Sequence, residues 1–106
     1  MNNKRIYKID FRETAYYLEM HKTLQKALDF PDYYGCNWDA FWDCLTDMYG
    51  DPIEIEIIGI ENIERKFEDA AEKMLSIFKE FKYYIPEFAD SICIILEKDG
   101  KRTVLR

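Results

Sequence analysis

Three parts of the chain have the hydrophobic pattern of β-strands. Arg5 to Phe11 alternates and is β-prone. A second strand starts at Ile53 and has the clearest alternation, and Ser91 to Glu97 is a continuous apolar strand. Asp99-Gly100 signals a hairpin that leads to a short last strand, Thr103 to Leu105. The side chains of the first strand expected near the core are Ile6, Tyr7 and Ile9.

Between the strands, apolar residues recur at helical spacing. A first helix is predicted from Ala15 to Leu28, with Thr14 as its N-cap. Its inner face is expected to hold Tyr17, Leu18, His21, Leu24, Gln25 and Leu28. DYYGCN is predicted to be a turn-rich connection, in which Gly35 can take a positive φ. A second helix is predicted from Trp38 to Tyr49, with Asn37 as its N-cap.

From Glu61 to Tyr84 the pattern is helical and charged, which predicts one long helix or two helices broken near Phe67. The order of elements is β-α-α-β-α-β with an optional final hairpin strand. This order predicts an α/β fold with a small, mostly parallel sheet packed with helices. The length of 106 residues predicts a single domain over residues 1–106.

The charge and composition of the chain argue against nucleic-acid binding and against a membrane protein. The chain has 21 acidic and 15 basic residues, a formal charge of -6, which is the opposite of what phosphate neutralisation requires. Direct binding of nucleic acid is therefore not expected. The N-terminus lacks a signal-peptide pattern, and the longest apolar run, Ile92 to Leu96, is too short to span a bilayer. Three cysteines without a CxxC motif indicate reduced thiols, so a cytoplasmic location without membrane contact is expected.

The segment PDYYGCNWDAFWDCLTD has an unusual concentration of acids and aromatics. The range from Asp29 to Asp51 contains no Lys, Arg or His. Its six aspartates are Asp29, Asp32, Asp39, Asp43, Asp47 and Asp51. On a helix, Asp39, Asp43 and Asp47 fall at i, i+4 and i+8, where like charges repel. An ordinary amphipathic helix with a solvated acidic side is one interpretation, and a binding surface is the other.

Catalytic and metal sites do not fit this pattern. Three aspartates along one stripe do not surround a substrate in the way that a pair of catalytic carboxylates does. No loop has the alternating oxygen ligands and glycine of a calcium site. The only histidine, His21, falls on the inner face of the first helix. We therefore predict a protein that is not an enzyme and holds no metal or cofactor.

Two aromatic residues, Tyr33 and Tyr34, precede Gly35 in the loop before the second helix. Core packing can explain one of them. Exposed tyrosines beside tryptophans have the composition of a protein-binding hot spot, and the neighbouring carboxylates demand a basic partner. The physical hypothesis is an acidic aromatic surface that docks on a basic cleft.

The stretch HKTLQKALDFPDYYGCNWDAFWDCLT, His21 to Thr46, resembles the barstar family of intracellular inhibitors of the ribonuclease barnase. A weaker likeness continues through Ile53 to Ile58, MLSIFKEFK at 74–82 and IIL at 94–96. The resemblance implies a barstar-like fold with three parallel strands and packed helices. It also implies a monomer that forms a 1:1 complex with a barnase-type ribonuclease, whose active-site cleft the loop and second helix plug.

The resemblance further implies individual contacts. Asp43 matches the aspartate that takes the place of a substrate phosphate among arginine and histidine side chains. Tyr33 matches the tyrosine that packs on the catalytic histidine, and Asp39 matches a second acid that meets basic residues. The other expected positions are the loop residues Gly35 and Asn37, the supporting or bordering aromatics Tyr34 and Trp42, the polar Thr46 and the distant Glu80.

The sequence also departs from the family pattern at the expected contact surface. Asp47 stands where the best-known member has glycine, Met48 where it has tryptophan, and Cys36 where it has a charged residue. We include Asp47 among the expected partner contacts. Two functions stay open at this point: a ribonuclease inhibitor acting as an immunity protein or antitoxin, and a barstar-like module that binds a different basic toxin or partner. The basic tail after Glu97 is expected to lie apart from the acidic face.

Overall fold

A computed structural model describes residues 4–106; Met1 to Asn3, which begin the N-terminal stretch considered above, lie outside the described residues. The strands are β1 Arg5–Asp10, β2 Ile53–Ile58, β3 Ile92–Lys98 and β4 Lys101–Val104. They form one sheet in the order β1-β2-β3-β4. The first three strands are parallel, and β4 pairs antiparallel to β3. This confirms the predicted α/β fold with a mostly parallel sheet and a final hairpin strand.

Four α-helices and one 3₁₀ helix connect the strands. They are α1 Tyr17–Ala27, α2 Trp38–Thr46, α3 Ile60–Lys66, α4 Glu68–Tyr84 and the 3₁₀ helix Pro86–Ser91. The charged region is two helices rather than one, and Phe67 lies at the break with a φ of -142°. Within residues 4–106, no helix is both long and apolar enough to cross a membrane.

The core lies between one face of the sheet and the helices. Alternate residues of β2, Ile53, Ile55 and Ile57, are buried in a hydrophobic cluster that also contains buried helix residues. From α2 and α4, the Phe41 and Phe78 rings meet edge to face, with their centroids 5.2 Å apart. The period of two along each strand therefore decides which side chains reach the helices.

The prediction for Ile6 was wrong. Ile6 is 60% exposed, whereas Ile9 is fully buried and Tyr7 is partly buried. Since successive residues of a strand point to opposite faces, the strand cannot bury Ile6 and Tyr7 on the same side. The core takes Tyr7, Ile9 and Phe11 instead.

The start of α1 also differs from the prediction. Thr14 is not the N-cap; Tyr16 occupies that position without a side-chain cap, and Thr14 is buried before the helix. The Thr14 carbonyl accepts hydrogen bonds from Asn62 Nδ2 and from Lys66 Nζ, each at 3.0 Å. The inner face of α1 also differs from the prediction, because Leu18 is exposed and Met20 is fully buried.

Two turns show where positive φ is needed. In the loop before α2, Gly35 could supply a positive φ, but Cys36 takes that conformation instead, with a φ of 54°. In the β3–β4 hairpin, Asp99 and Gly100 have φ of 50° and 82°, as the Asp-Gly pair predicts. In the loop before α2, a cysteine therefore occupies a conformation that usually favours glycine.

The outer face of the sheet contains an ion pair between a buried acid and a half-exposed arginine. Glu56, in the central strand β2, is only 7% exposed, and Arg102 Nη1 of β4 donates to its Oε1 at 2.7 Å. Lys98 pairs with Glu64 at 2.7 Å. Lys98 and Arg102 of the C-terminal hairpin thus pair with acids outside α2, in agreement with the expectation that the tail lies apart from the acidic face.

We expect Arg102→Ala to lower the urea concentration at the midpoint of unfolding, because it leaves the buried Glu56 carboxylate without the guanidinium that donates to it. Urea denaturation measures the change. Lys101→Ala, an exposed change in the same strand, is the matched control. Equal losses in the two variants would show that the pair contributes nothing specific.

Candidate functional site

The loop before α2 is held by hydrogen bonds within the chain. The backbone N–H of Tyr34 donates to the Pro31 carbonyl at 3.0 Å, and Gln25 Nε2 of α1 donates to the same carbonyl at 3.0 Å. Asn37 is the N-cap of α2, as predicted, because its Oδ1 accepts from the Ala40 N–H at 2.8 Å. Its Nδ2 donates to the Gly35 carbonyl, and a Cβ at Gly35 would lie 3.0 Å from that nitrogen. Glycine at position 35 therefore permits this close approach.

The two loop tyrosines have different environments. Tyr33 is 84% exposed, whereas Tyr34 is 5% exposed and belongs to the core. The Tyr34 hydroxyl lies 2.7 Å from His21 Nδ1. The resemblance allows Tyr34 either to support the site or to border it, and its burial fits the supporting role. Tyr33 is the loop tyrosine that a partner can reach.

His21 connects α1, the loop and α2. Its ring centroid lies 5.3 Å from that of Tyr17, 5.9 Å from that of Tyr34 and 4.6 Å from that of Trp38, the first residue of α2. The imidazole is fully buried, and its Nε2 has no hydrogen-bond partner among the described residues. Burial lowers the pKa of His21 below its ordinary value, since the charged form loses its hydration.

Carboxylates from two helices converge on one open groove of about 350 Å³. From α2 the groove is lined by Trp38, Asp39, Trp42 and Asp43, and from α4 by Lys73, Ile77 and Glu80. The fold thus brings together four of the sequence-predicted contacts, including Glu80, which is distant in sequence. No ion pair of the described residues includes Asp39, Asp43 or Glu80.

Asp47 and Thr46 lie differently from the acids of the groove. Asp47 is the C-cap after the last turn of α2 and lines a second groove of about 190 Å³, together with Arg5 and Met48. The Thr46 hydroxyl donates to the Asp43 carbonyl at 3.0 Å. The stripe of three aspartates is therefore divided between two grooves.

The sequence pattern did not identify three residues of α4 beside the acids. Lys73 and Ile77 line the groove, and Tyr84 meets Trp42 edge to face, with the ring centroids 5.1 Å apart. Together with Glu80 they fall at i, i+4, i+7 and i+11, which is one stripe of a helix. The spacing indicates that these four residues share one face of α4, but it does not indicate that this face lies against α2.

The geometry suits binding by a surface rather than chemistry on a small substrate. The groove is open, and its exposed carboxylates attract cations. Between residues 4 and 106, no group of three His, Cys, Asp or Glu side chains is arranged to hold a metal ion. Burial raises the pKa of the Cys44 thiol, and the nearby Asp47 and Asp43 add to this effect, so the thiolate is disfavoured.

Comparisons with known proteins agree on one family. A family model described as "Barstar (barnase inhibitor)" matches residues 5–97, a range that contains every predicted contact. A Bacillus subtilis (strain 168) protein named "Putative ribonuclease inhibitor YrdF" is 35% identical over 89 residues, which cover 84% of this chain and 94% of that protein. Strand β4 lies outside the range that the family model matches.

Lowering the pH is expected to destabilise the protein through His21. Burial places the pKa of the folded state below the ordinary 6.5, so the unfolded chain takes up this proton first as the pH falls. The contribution of the neutral imidazole to stability is complete above about pH 6.5. It is lost as the pH falls through the lower pKa of the folded state.

Urea denaturation between about pH 7 and pH 5 measures this loss, and His21 is the only histidine of the chain. The matched variant is His21→Gln, which cannot titrate in this range. Its free energy of unfolding is expected to change less with pH than that of the wild type. Equal slopes would rule out His21 as the titrating group.

Proposed function

This chain belongs to the barstar family, and we propose that it inhibits a ribonuclease by covering the enzyme's basic active site with Tyr33, Asp39 and Asp43. The family description and the name of the Bacillus subtilis relative support a role of the ribonuclease-inhibitor kind. The observation that carries the specific proposal is the groove between α2 and α4, where Asp39, Asp43 and Glu80 have no cation paired with them within the described chain.

The charges of the groove match the chemistry of such an enzyme. A ribonuclease active site presents Arg, Lys and His side chains to phosphates, and a carboxylate can occupy the same positions as a phosphate oxygen. Asp43 is proposed to enter the cleft, and Asp39 to meet further basic groups nearby. The like charges that are unfavourable in the free protein are then neutralised in the complex.

The rigidity of the loop supports the same proposal for Tyr33. Its neighbour Tyr34 is fixed to His21, and Gln25 holds the Pro31 carbonyl, so the loop is already ordered before a partner binds. A large exposed ring on an ordered loop loses little conformational entropy on binding. Tyr33 is therefore proposed as the aromatic anchor of the interface, which packs on the enzyme's catalytic histidine.

We propose that the complex contains one copy of each protein, forms in the cytoplasm and requires no cofactor. The cysteines Cys36, Cys44 and Cys93 are all free thiols, which is usual for proteins of a reducing compartment. The formal charge of -6 opposes direct contact with RNA, so the inhibitor is proposed to bind the enzyme rather than its substrate.

A second candidate function is a barstar-like module that binds a different basic toxin or partner. Lys73 favours it, because this residue places a cation in the acidic groove, where a uniformly basic cleft would meet repulsion. Asp47, in the second groove, also differs from the best-known family member. The partner of such a module would present cations to Asp43 and an acid or a neutral group to Lys73.

Titration of RNA cleavage by a barnase-type ribonuclease tests the first function. Stoichiometric inhibition is expected, and Asp43→Ala should weaken binding by about two to three orders of magnitude, because it leaves cationic groups of the cleft unpaired. Raising the salt concentration should weaken wild-type binding. The control is Glu13→Ala, an exposed acid outside the groove. Similar losses for the two variants would contradict the proposed mechanism.

Lys73→Met separates the two candidate functions. If the target cleft is uniformly basic, removing this cation should strengthen binding by about threefold to tenfold, because repulsion across the groove is lost. Lys79→Met removes the same charge from α4 outside the groove and controls for the change in net charge. The association rate and affinity are measured by stopped-flow fluorescence. Weaker binding of Lys73→Met would instead indicate an acid opposite Lys73 and favour the second function.

A further inference from the structure

We infer that Tyr84 is a further partner contact, and that Tyr84, Trp42 and Glu80 form a cradle for one cationic side chain of the partner. The inference rests on the proposed function, because it extends the same surface to the last turn of α4. It adds a residue that lies 37 positions beyond the acidic segment Pro31 to Asp47.

The two tyrosines that end α4 are exposed for different reasons. Tyr83 is half exposed, and the Lys82 ammonium lies 5.4 Å from the centroid of its ring, so this tyrosine already has a cation from its own chain. Tyr84 is 61% exposed and meets Trp42 at an interplanar angle of 88°. A large aromatic ring that leaves most of its surface in water beside a candidate binding groove suits contact with a partner better than core packing.

Contacts of Tyr49 fix the position of α2 relative to α4 near Trp42 and Tyr84. Tyr49 follows α2 and stacks on Phe81 and Phe88, with ring centroids 4.8 Å and 5.4 Å apart. Its hydroxyl donates to the Phe81 carbonyl at 2.7 Å. These contacts tie the end of α2 to the last turns of α4, so the two exposed rings are positioned before a partner arrives.

Carboxylates lie next to this aromatic corner. Glu80 precedes Tyr84 by four residues and is therefore its neighbour on the same face of α4. Glu80 and Asp43 line the groove together with Trp42. Lys73, the cation of the groove, lies eleven residues before Tyr84, or about 16 Å along the helix axis. Of the charged groove residues on α4, the carboxylate of Glu80 is thus nearer to Tyr84 along the helix than the ammonium of Lys73 is.

Aromatic rings beside carboxylates accept a cation. An ammonium or guanidinium group is attracted to the face of a tyrosine or tryptophan and to the carboxylate at the same time. Arginine fits best, because its planar group can stack on a ring while it donates two hydrogen bonds to one carboxylate. The groove is open and does not enclose a free small molecule, so the occupant is a side chain presented by a protein.

Tyr84→Ala and Tyr83→Ala form a matched pair for the test. We expect Tyr84→Ala to weaken binding of a barnase-type ribonuclease about tenfold, and Tyr83→Ala to change it less than twofold. Tyr84→Phe should bind like the wild type, because the ring and not the hydroxyl makes the contact. Thermal unfolding of each variant checks that it is folded. Equal effects of the two alanine variants would overturn the inference.

A second measurement does not depend on the ribonuclease. The peptide N-acetyl-Arg-Arg-Arg-amide is titrated into the labelled protein while the Trp42 indole resonance is followed by NMR, with a triglutamate peptide as the charge control. A saturable shift is expected in the wild type and in Tyr83→Ala, and its loss in Tyr84→Ala. A shift that persists in Tyr84→Ala would contradict the cradle.

The two measurements separate the inference from the proposed function. If the ribonuclease is not bound but the arginine peptide shifts Trp42 in a manner that requires Tyr84, the ribonuclease proposal fails and the cradle stands. If the ribonuclease is inhibited and Tyr84→Ala changes neither measurement, the proposed function stands and the cradle is wrong.

Discussion

The burial of one face of α2 against α4 is the interaction on which the candidate site depends. Phe41 and Leu45 are fully buried, and Phe41 meets Phe78 of α4 edge to face. Residues i and i+2 of an α-helix are separated by a rotation of about 200° around the helix axis. Burying Phe41 and Leu45 therefore turns Asp39 and Asp43 outward, and the same contact brings the α4 stripe that contains Glu80 beside them.

The loop depends on a second buried contact. Tyr34 hydrogen-bonds to His21 beneath the loop, and His21 packs against the first residue of α2. His21 Nε2 has no hydrogen-bond partner within residues 4–106, and a buried polar atom without a partner is destabilising. In return, the exposed Tyr33 stands on a loop that needs no ordering when a partner binds. The same few core residues thus serve stability and hold the loop of the proposed binding surface.

The ion pairs of the described residues lie on and around the sheet, and none lies in the groove between α2 and α4. Acids on and around the sheet have basic partners in the described chain, in the pairs Lys4–Glu54, Arg5–Asp51, Arg12–Asp10, Lys98–Glu64 and Arg102–Glu56. The carboxylates of the groove have none. Unpaired like charges are unfavourable for folding, and such local conflicts are typical of functional sites. An external cation can meet the carboxylates of the groove without first breaking an ion pair of the described residues.

Local spacing in the sequence determined the order of the elements, the Asn37 cap and the acidic side of α2, because neighbouring residues decide these features. It also indicated the family, through the residues from His21 to Thr46. The tertiary structure alone decided that Tyr34 is buried while Tyr33 is exposed, and that Asp47 lines a different groove from Asp39 and Asp43. It alone placed the Tyr84 stripe of α4 beside α2. These features depend on contacts between segments far apart in the chain, and periodicity identifies the faces of a helix without saying which element each face meets.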